Sequence, residues 1–442
     1  MRTKPRVTGS DVTFATTPRA RPYSWYVVAI LFLVSVFNFM DRQLLSILLE
    51  PIKADLGASD TAMGLLTGFA FVSFFTLASV PIARAADVHS RRNIIAAALA
   101  FWSVMTMLSG AVASFLQLAA TRVGLGLGEA ATGPAGQSMT SDLFSSAHRT
   151  AALSLLAVAT PVGFMLAFVL GGGLNQAIGW RWTFVALGTP GLVLAIFVLL
   201  TVREPRRGAA EDSWVDEGHY GLRETARYLW SLRSLRWMVA GAAMNGFAAW
   251  ALMVWSASFL IRVHGMESAE AGAWLGMGIG VGGTAGTMLG GLAAQRLARR
   301  DTRWFLWVPA FTSLLMLPFG VLFLTLPVAV APLMYVGMAL FGPAMLGPVM
   351  AVTQGLAKVR MRAQAAALVT MTLNLVGAGF GPLVVGGLSD LFAPRFGVDS
   401  IRYALLIAIT VAVPAAALSF VRGAPYVGVE LERVTVSRNQ RD

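Results

Sequence analysis

The 442-residue chain contains no cysteine and only four histidines, His89, His148, His219 and His264, all in polar stretches between apolar runs. The first absence excludes disulfides, thiolate metal sites and thiol nucleophiles. The second leaves the apolar runs without an imidazole, so any proton crossing them must ride on carboxylates. Charge is scarce as well: Asp, Glu, Lys and Arg are 13% of the residues, against about 25% in soluble domains. Also missing are His-Glu-x-x-His, a Walker lysine and a serine nucleophile with a recognisable base, so no enzyme, metal or cofactor is expected.

What is present is hydrocarbon. The sequence is 56% hydrophobic with a mean hydropathy of +0.68. Apolar runs of about 20 residues or more recur along it, each long enough to cross a core of about 30 Å at about 1.5 Å per residue. Twelve spans are predicted near 25–50, 60–83, 93–113, 115–139, 149–174, 181–201, 236–263, 269–293, 304–325, 327–356, 363–388 and 400–421. They divide the chain into a polar tail (1–24), a first six-helix bundle (25–202), a polar loop (203–235), a second six-helix bundle (236–422) and a C-terminal tail (423–442). The expected fold is an all-α integral membrane protein.

The formal net charge is +12, and its placement decides what it means. With the N-terminus inside, 27 of the 34 Lys and Arg lie on the inner side and only Lys53, Arg181, Arg262, Arg395 and Arg402 on the other. That asymmetry places both termini in the cytoplasm. The excess is an orientation signal, and no nucleic-acid partner is expected. The Arg-rich, Lys-poor, cysteine-free composition fits a bacterial inner membrane, with the bilayer as surroundings and a monomer as the unit.

Four charges break the hydrocarbon pattern: Asp41 and Arg42 in span 1, Arg122 and Glu129 in span 4. Each costs roughly 2.5 to 3.5 kcal/mol at a span centre, so they point to a substrate or proton pathway. Arg122 and Glu129 are seven residues apart, on one helical face about 10 Å apart. Asn38 lies three residues before Asp41 and four before Arg42, which puts an amide beside both. Asp41 and Glu129 are the protonatable candidates. Arg42 and Arg122 either neutralise them in turn or bind an anionic head group; static ion pairs between spans 1 and 4 are the alternative. Span 7 offers Met244, Asn245, Phe247, Trp250, Met253 and Trp255, and span 10 offers Tyr335, Phe341 and Met345, without a charge in the core of either.

The two halves also echo each other. Residues 83–92 read ARAADVHSRR and residues 291–300 read GLAAQRLARR, in equivalent loops. Parallel six-helix repeats are the plan of a transporter whose halves rock about a midplane site.

Asn38-Phe39-Met40-Asp41-Arg42-Gln43, Gly124-Leu125-Gly126-Leu127-Gly128-Glu129-Ala130 and Trp180-Arg181-Trp182-Thr183-Phe184 resemble the spinster-like branch of the major facilitator superfamily. The loop at 83–92 keeps Asp87, Arg91 and Arg92 of the superfamily signature but has Ala83 and Ser90 at its glycine positions. The resemblance implies two six-helix bundles, a cavity lined by spans 1, 4, 7 and 10, and a cytoplasmic gate in which Asp87 pairs with Arg91 or Arg92. Such a cavity, charged on one side and aromatic on the other, would suit an amphiphile, with Asn38, Asn245, Phe247, Trp250 and Phe341 joining Arg42 and Arg122 as substrate contacts. The resemblance also implies a proton-coupled secondary transporter working by alternating access on an amphiphilic anion such as a lysophospholipid or sphingoid phosphate. Transport of small organic anions, or uncoupled lipid facilitation or sensing, are the alternatives.

Overall fold

The computed structural model describes residues 22–205, 221–358 and 361–439, and these are helical, with no strand among the described residues. Span 1 runs Pro22–Ile47 and continues as a short helix Leu49–Leu56. Gly57 ends it at φ 62°, in the left-handed region that glycine enters without penalty. Span 2 starts at Asp60 behind the Ser59 cap and passes through a π turn, Leu66–Ala70, before Phe71–Val88. Span 3 is Arg91–Ser109. Span 4 is broken into Phe115–Glu129 and Thr132–Leu143.

Spans 5 and 6 share one helical segment, Ser146–Thr201, of 56 residues. At about 1.5 Å per residue that is more than twice a bilayer core, so it must cross twice. Gly179, at φ 78° and ψ 162°, turns the chain between the crossings. Span 7 is Arg233–His264. Span 8 joins Ser268–Met277 to Thr284–Ala298 through a π turn at Gly278–Gly283. Span 9 is Trp304–Thr325, and span 10 is Ala331–Phe341 and Leu346–Leu356 around a tight turn at Gly342–Met345. Span 11 joins Arg362–Leu373 to Gly381–Phe396 through a third π turn, Asn374–Phe380. Span 12 is Ser400–Asn439.

Eight stretches of the described residues are long and apolar enough to cross a membrane. Two of them, His148–Thr201 and Gln364–Val434, each hold two crossings, and the interrupted spans 4 and 8 complete the twelve. Two segments differ from expectation. The predicted loop at 203–235 contains a helix, Leu222–Ser231, whose Thr225 and Leu229 are buried. Its Tyr228 hydroxyl donates to Leu356 O at 2.9 Å. The predicted tail after residue 422 continues span 12 as helix, because Glu430 caps span 7 by accepting from the amides of Arg233 at 2.9 Å and Ser234 at 3.2 Å. Both helices are held by contacts remote in sequence.

Small residues set how closely spans approach. Within the second half, a Cβ on Gly286 would lie 1.8 Å from Leu340 O. Between the halves, one on Gly64 would lie 2.4 Å from Pro382 O and one on Gly172 2.2 Å from Ser268 O. Spans 2 and 11, and spans 5 and 8, therefore touch backbone to backbone.

Candidate functional site

Span 1 and span 4 bring the four intramembrane charges together. Arg42 reaches across with Nε at 3.1 Å and Nη2 at 3.0 Å from the same oxygen, Glu129 Oε2. Asn38 supports the pair: its Oδ1 accepts from Arg42 Nη2 at 3.5 Å and its Nδ2 donates to Glu129 O at 3.4 Å. Span 4 breaks immediately after Glu129, freeing that carbonyl for Asn38 and for the Thr132 hydroxyl at 3.3 Å. The Arg42 guanidinium also lies 4.7, 5.1 and 5.3 Å from the ring centres of Phe75, Phe71 and Phe39. These faces favour a cation and exclude water.

The second arginine is held differently. Arg122 Nη1 donates to the backbone oxygen of Asp41 at 3.4 Å, and its guanidinium lies 5.1 Å from the Phe184 ring centre. The Asp41 carboxyl faces Thr106 and Trp102 of span 3 and feels the charges of Arg122 and Glu129. Asp41 Oδ1, Arg122 Nε and Nη2, and Glu129 Oε1 are buried without a hydrogen-bond partner. Leaving such groups unpaired costs about 1 to 3 kcal/mol each, more for charged ones. The cluster thus combines one bonded ion pair, Arg42–Glu129, with polar atoms of Asp41, Arg122 and Glu129 that lack a partner.

A pocket partly open to solvent lies beside Arg42, about 460 Å³ of space with the adjoining open solvent included, lined by Arg42, Gln43, Thr67, Phe75, Trp250 and Asn374 among others. Of the substrate contacts read from the sequence, Arg42 and Trp250 line it. Trp250 packs edge-on against Phe164 of span 5 at 6.1 Å. Asn245 does not reach it. The amide is consumed within the second half, Nδ2 donating to Gly342 O at 2.9 Å and Oδ1 accepting from Ser313 at 2.8 Å, so it ties spans 7, 9 and 10. Phe341 packs on Phe319 at 5.6 Å, and Phe247 is partly buried against the core. Trp255, Tyr335 and Met345 are core residues too. The amphiphile-facing surface expected from spans 7 and 10 thus narrows to Trp250 and Val254.

At the end of the bundle that bears the described termini, Arg91 is buried and doubly paired. Its Nη1 lies 2.5 Å from Asp142 and its Nε 2.8 Å from Glu204. The Arg92 side chain donates instead to Asn93 Oδ1 at 3.0 Å. The Asp87 side chain, the partner expected for either, lies outside the described residues. Partial burial works against the Glu204 charge, but hydrogen bonds from the Arg92 amide, Arg91 and Ser90 hold its carboxyl below the usual carboxylate range.

At the opposite end, ion pairs join the two halves. Arg262 of span 7 donates to both oxygens of Glu50, at 3.2 and 2.6 Å, and to both oxygens of Asp60, at 2.7 and 2.8 Å. Asp60 also receives Lys53 at 2.5 Å and the Ser389 hydroxyl at 2.6 Å. The Asp390 carboxylate, from span 11, accepts from the amides of Asp60 at 3.0 Å and Thr61 at 2.7 Å. None of this network is singled out by the sequence. Its acids and bases stand at span ends, where charge is ordinary, and only the fold brings Glu50 and Asp60 to Arg262.

Comparison with known proteins places the geometry. The sequence model of the Major Facilitator Superfamily matches residues 31–382. A protein of Mycolicibacterium smegmatis described as an MFS-type efflux pump is 36% identical over 87% of this chain and 89% of its own length. Protein spinster homolog 3 of Danio rerio is 32% identical over 58% of this chain and 52% of its own. A Bacillus subtilis protein named "Probable galactarate/D-glucarate transporter GudP" is 30% identical over 64% of this chain and 68% of its own. Among solved structures, a bacterial homolog of the human lysosomal transporter spinster, in an inward-facing and unoccupied conformation, superposes with a TM-score of 0.80 at 27% identity, covering 94% of this chain and 98% of that one.

Proposed function

This chain belongs to the Major Facilitator Superfamily, and from that premise we propose that it is a proton-coupled secondary transporter of an amphiphilic anion, working by alternating access. The observation that carries the reading is the Arg42–Glu129 pair at the pocket edge. One acid oxygen takes both guanidinium bonds while Glu129 Oε1 and Asp41 Oδ1 stay unpartnered. An anion entering the pocket competes with Glu129 for Arg42. Once the arginine is taken, the buried acid favours a proton, so substrate and proton sites become linked, typically by about 1 to 3 kcal/mol. Arg122 lies outside the pocket and bonds only the backbone oxygen of Asp41, so it acts on that acid through its charge alone. Phe71, Phe75 and Trp250 then face the apolar part of the substrate.

The positive-inside asymmetry supports cytoplasmic termini and hence a cytoplasmic place for the Arg91–Asp142–Glu204 cluster, which, with Arg92 and the Asp87 expected from the sequence, we assign to an inner gate. The Arg262 network then closes the outer side, an arrangement in keeping with an inward-facing state. One chain carries the pocket whole, which supports a monomer in the bacterial inner membrane as the working unit.

A small organic anion is the second reading, favoured by the uncharged polar side chains in the pocket and by the acid-sugar name of one relative. The direct test is substrate-driven proton movement in liposomes holding the purified protein, challenged with a lysophospholipid, a sphingoid phosphate and a sugar acid. Flux with either lipid supports the first reading, and flux with the acid alone replaces it with the second. Removing the pocket cation gives a further expectation. Arg42→Ala should weaken an anionic ligand by about tenfold or more, the scale of a charge-assisted hydrogen bond, while a neutral analogue changes little. Equal losses for both, measured by calorimetry, would remove the head-group role.

A further inference from the structure

Beside Arg42 the same pocket carries four uncharged polar side chains that have no part in holding the charge or the apolar portion of an amphiphile: Gln43, Ser46, Thr67 and Asn374. Their hydrogen bonds fix what each still offers. Gln43 Nε2 donates to Ser46 Oγ at 2.8 Å and to Met253 O at 3.5 Å, which leaves Gln43 Oε1 as an open acceptor. Ser46 Oγ, having accepted, keeps its proton to donate. Thr67 spends its proton on Met63 O at 2.9 Å and keeps acceptor lone pairs. The Asn374 amide makes no hydrogen bond to another described residue, so it offers both kinds. Gln43 and Ser46 are 1% and 2% exposed, so bulk water does not satisfy them cheaply.

Thr67 and Asn374 sit on the π turns of spans 2 and 11. These turns face each other across the two halves, with the Phe69 and Phe380 rings 5.3 Å apart. A π turn inserts a residue into the helical register and is frequent at functional sites. Here one lies in each half, each carrying a polar side chain to the same pocket.

We propose that Gln43, Ser46, Thr67 and Asn374 form a hydroxyl-reading subsite next to Arg42, and that the transported anion carries at least one hydroxyl close to its charge. The proposal rests on the assignment of Arg42 as the anion contact. A hydroxyl both donates and accepts, which matches a wall that alternates acceptor, donor, acceptor and amide. A bare alkyl chain would bury these groups unpaired, and sites built to hydrogen-bond a hydroxyl reject analogues lacking it. No carboxylate stands among the four to attract an ammonium, and no second cation to take another acid. Two sources share this chemistry: the glycerol of a lysophosphatidate and the hydroxylated chain of a sugar acid.

The test is binding of two matched pairs to the full-length protein in nanodiscs. One pair is oleoyl lysophosphatidate and oleyl phosphate; the other is gluconate and hexanoate, each with a single carboxylate. For one pair, the hydroxylated member should bind the wild type about tenfold more tightly or better. Asn374→Leu and Thr67→Val should each shrink that ratio by about fivefold, the effect of one hydrogen bond, while the hydroxyl-free member binds as before. The pair that shows the preference names the source. No preference in either pair, no binding of any of the four, or equal weakening of both members in the variants overturns the subsite. If Arg42→Ala leaves all affinities unchanged while the hydroxyl preference persists, the anion assignment fails and the hydroxyl reading stands alone.

Discussion

Glu129→Gln is expected to abolish substrate-driven proton flux while leaving the protein folded and able to bind substrate. Glutamine keeps the shape of the side chain and can still accept from Arg42 through its carbonyl, so the tie between spans 1 and 4 survives in reduced form. It cannot bind or release a proton in this range. A coupling energy of about 1 to 3 kcal/mol corresponds to roughly a 5- to 150-fold effect, so the pH-gradient-driven rate should fall at least about fivefold towards that of empty liposomes. Downhill exchange without a gradient should persist. The measurement is flux with a pH-sensitive dye from about pH 5 to about pH 8, with melting temperature as the folding control. Full gradient-driven flux in the variant would move coupling away from Glu129 and leave its pair with Arg42 as a structural tie.

The second large effect is expected from Arg262→Ala. Its guanidinium holds Glu50 and Asp60 at once, and the Asp60 side chain is 3% exposed while that of Arg262 is 12% exposed. Removing one partner of a buried pair costs about 3 to 5 kcal/mol because the other charge is left uncompensated. Lys53 and residual solvent soften that here, so about 2 to 3 kcal/mol is a fair scale. These bonds exist only while the halves touch at this end, so the cost falls on the closed arrangement. It corresponds to a shift of roughly 30- to 150-fold towards states parted there. The absence of cysteine makes the test clean: spin labels on Ala54→Cys and Val398→Cys report the separation across that end. A new, longer distance population is expected in Arg262→Ala, with a smaller one in Arg262→Lys, which keeps the charge and loses the fork. Identical distance distributions in all three proteins would show that the network does not hold this end shut.

Much of this architecture is written in the sequence because a bilayer leaves few options. A run of apolar residues must be helix, and its length fixes one crossing. The convergence of Asn38, Arg42, Arg122 and Glu129 was legible for a related reason, since a charge in hydrocarbon needs a partner and spans 1 and 4 hold the candidates. Asn245 illustrates the limit. A lone amide in an apolar span looks like a ligand contact, yet Ser313 and Gly342, more than sixty residues away, satisfy it inside the bundle. Arg262 illustrates the opposite error: counted with the few positive residues of one compartment, it gives no hint of the two acids it binds. The π turns under Thr67 and Asn374 escape periodicity altogether, since one inserted residue barely disturbs an apolar pattern.

The Asp390 carboxylate has a consequence for timing. It covers the first two amides of span 2 from the opposite half of the molecule, and no helical bond inside span 2 replaces that cover, because the first turn of a helix has no internal acceptors. Parting the halves strips it without unwinding anything. In deuterated water the amides of Asp60 and Thr61 should therefore take up label at the rate at which this end opens, far faster than amides a turn deeper in the same helix, and mass spectrometry of the unmodified protein would read the opening frequency directly.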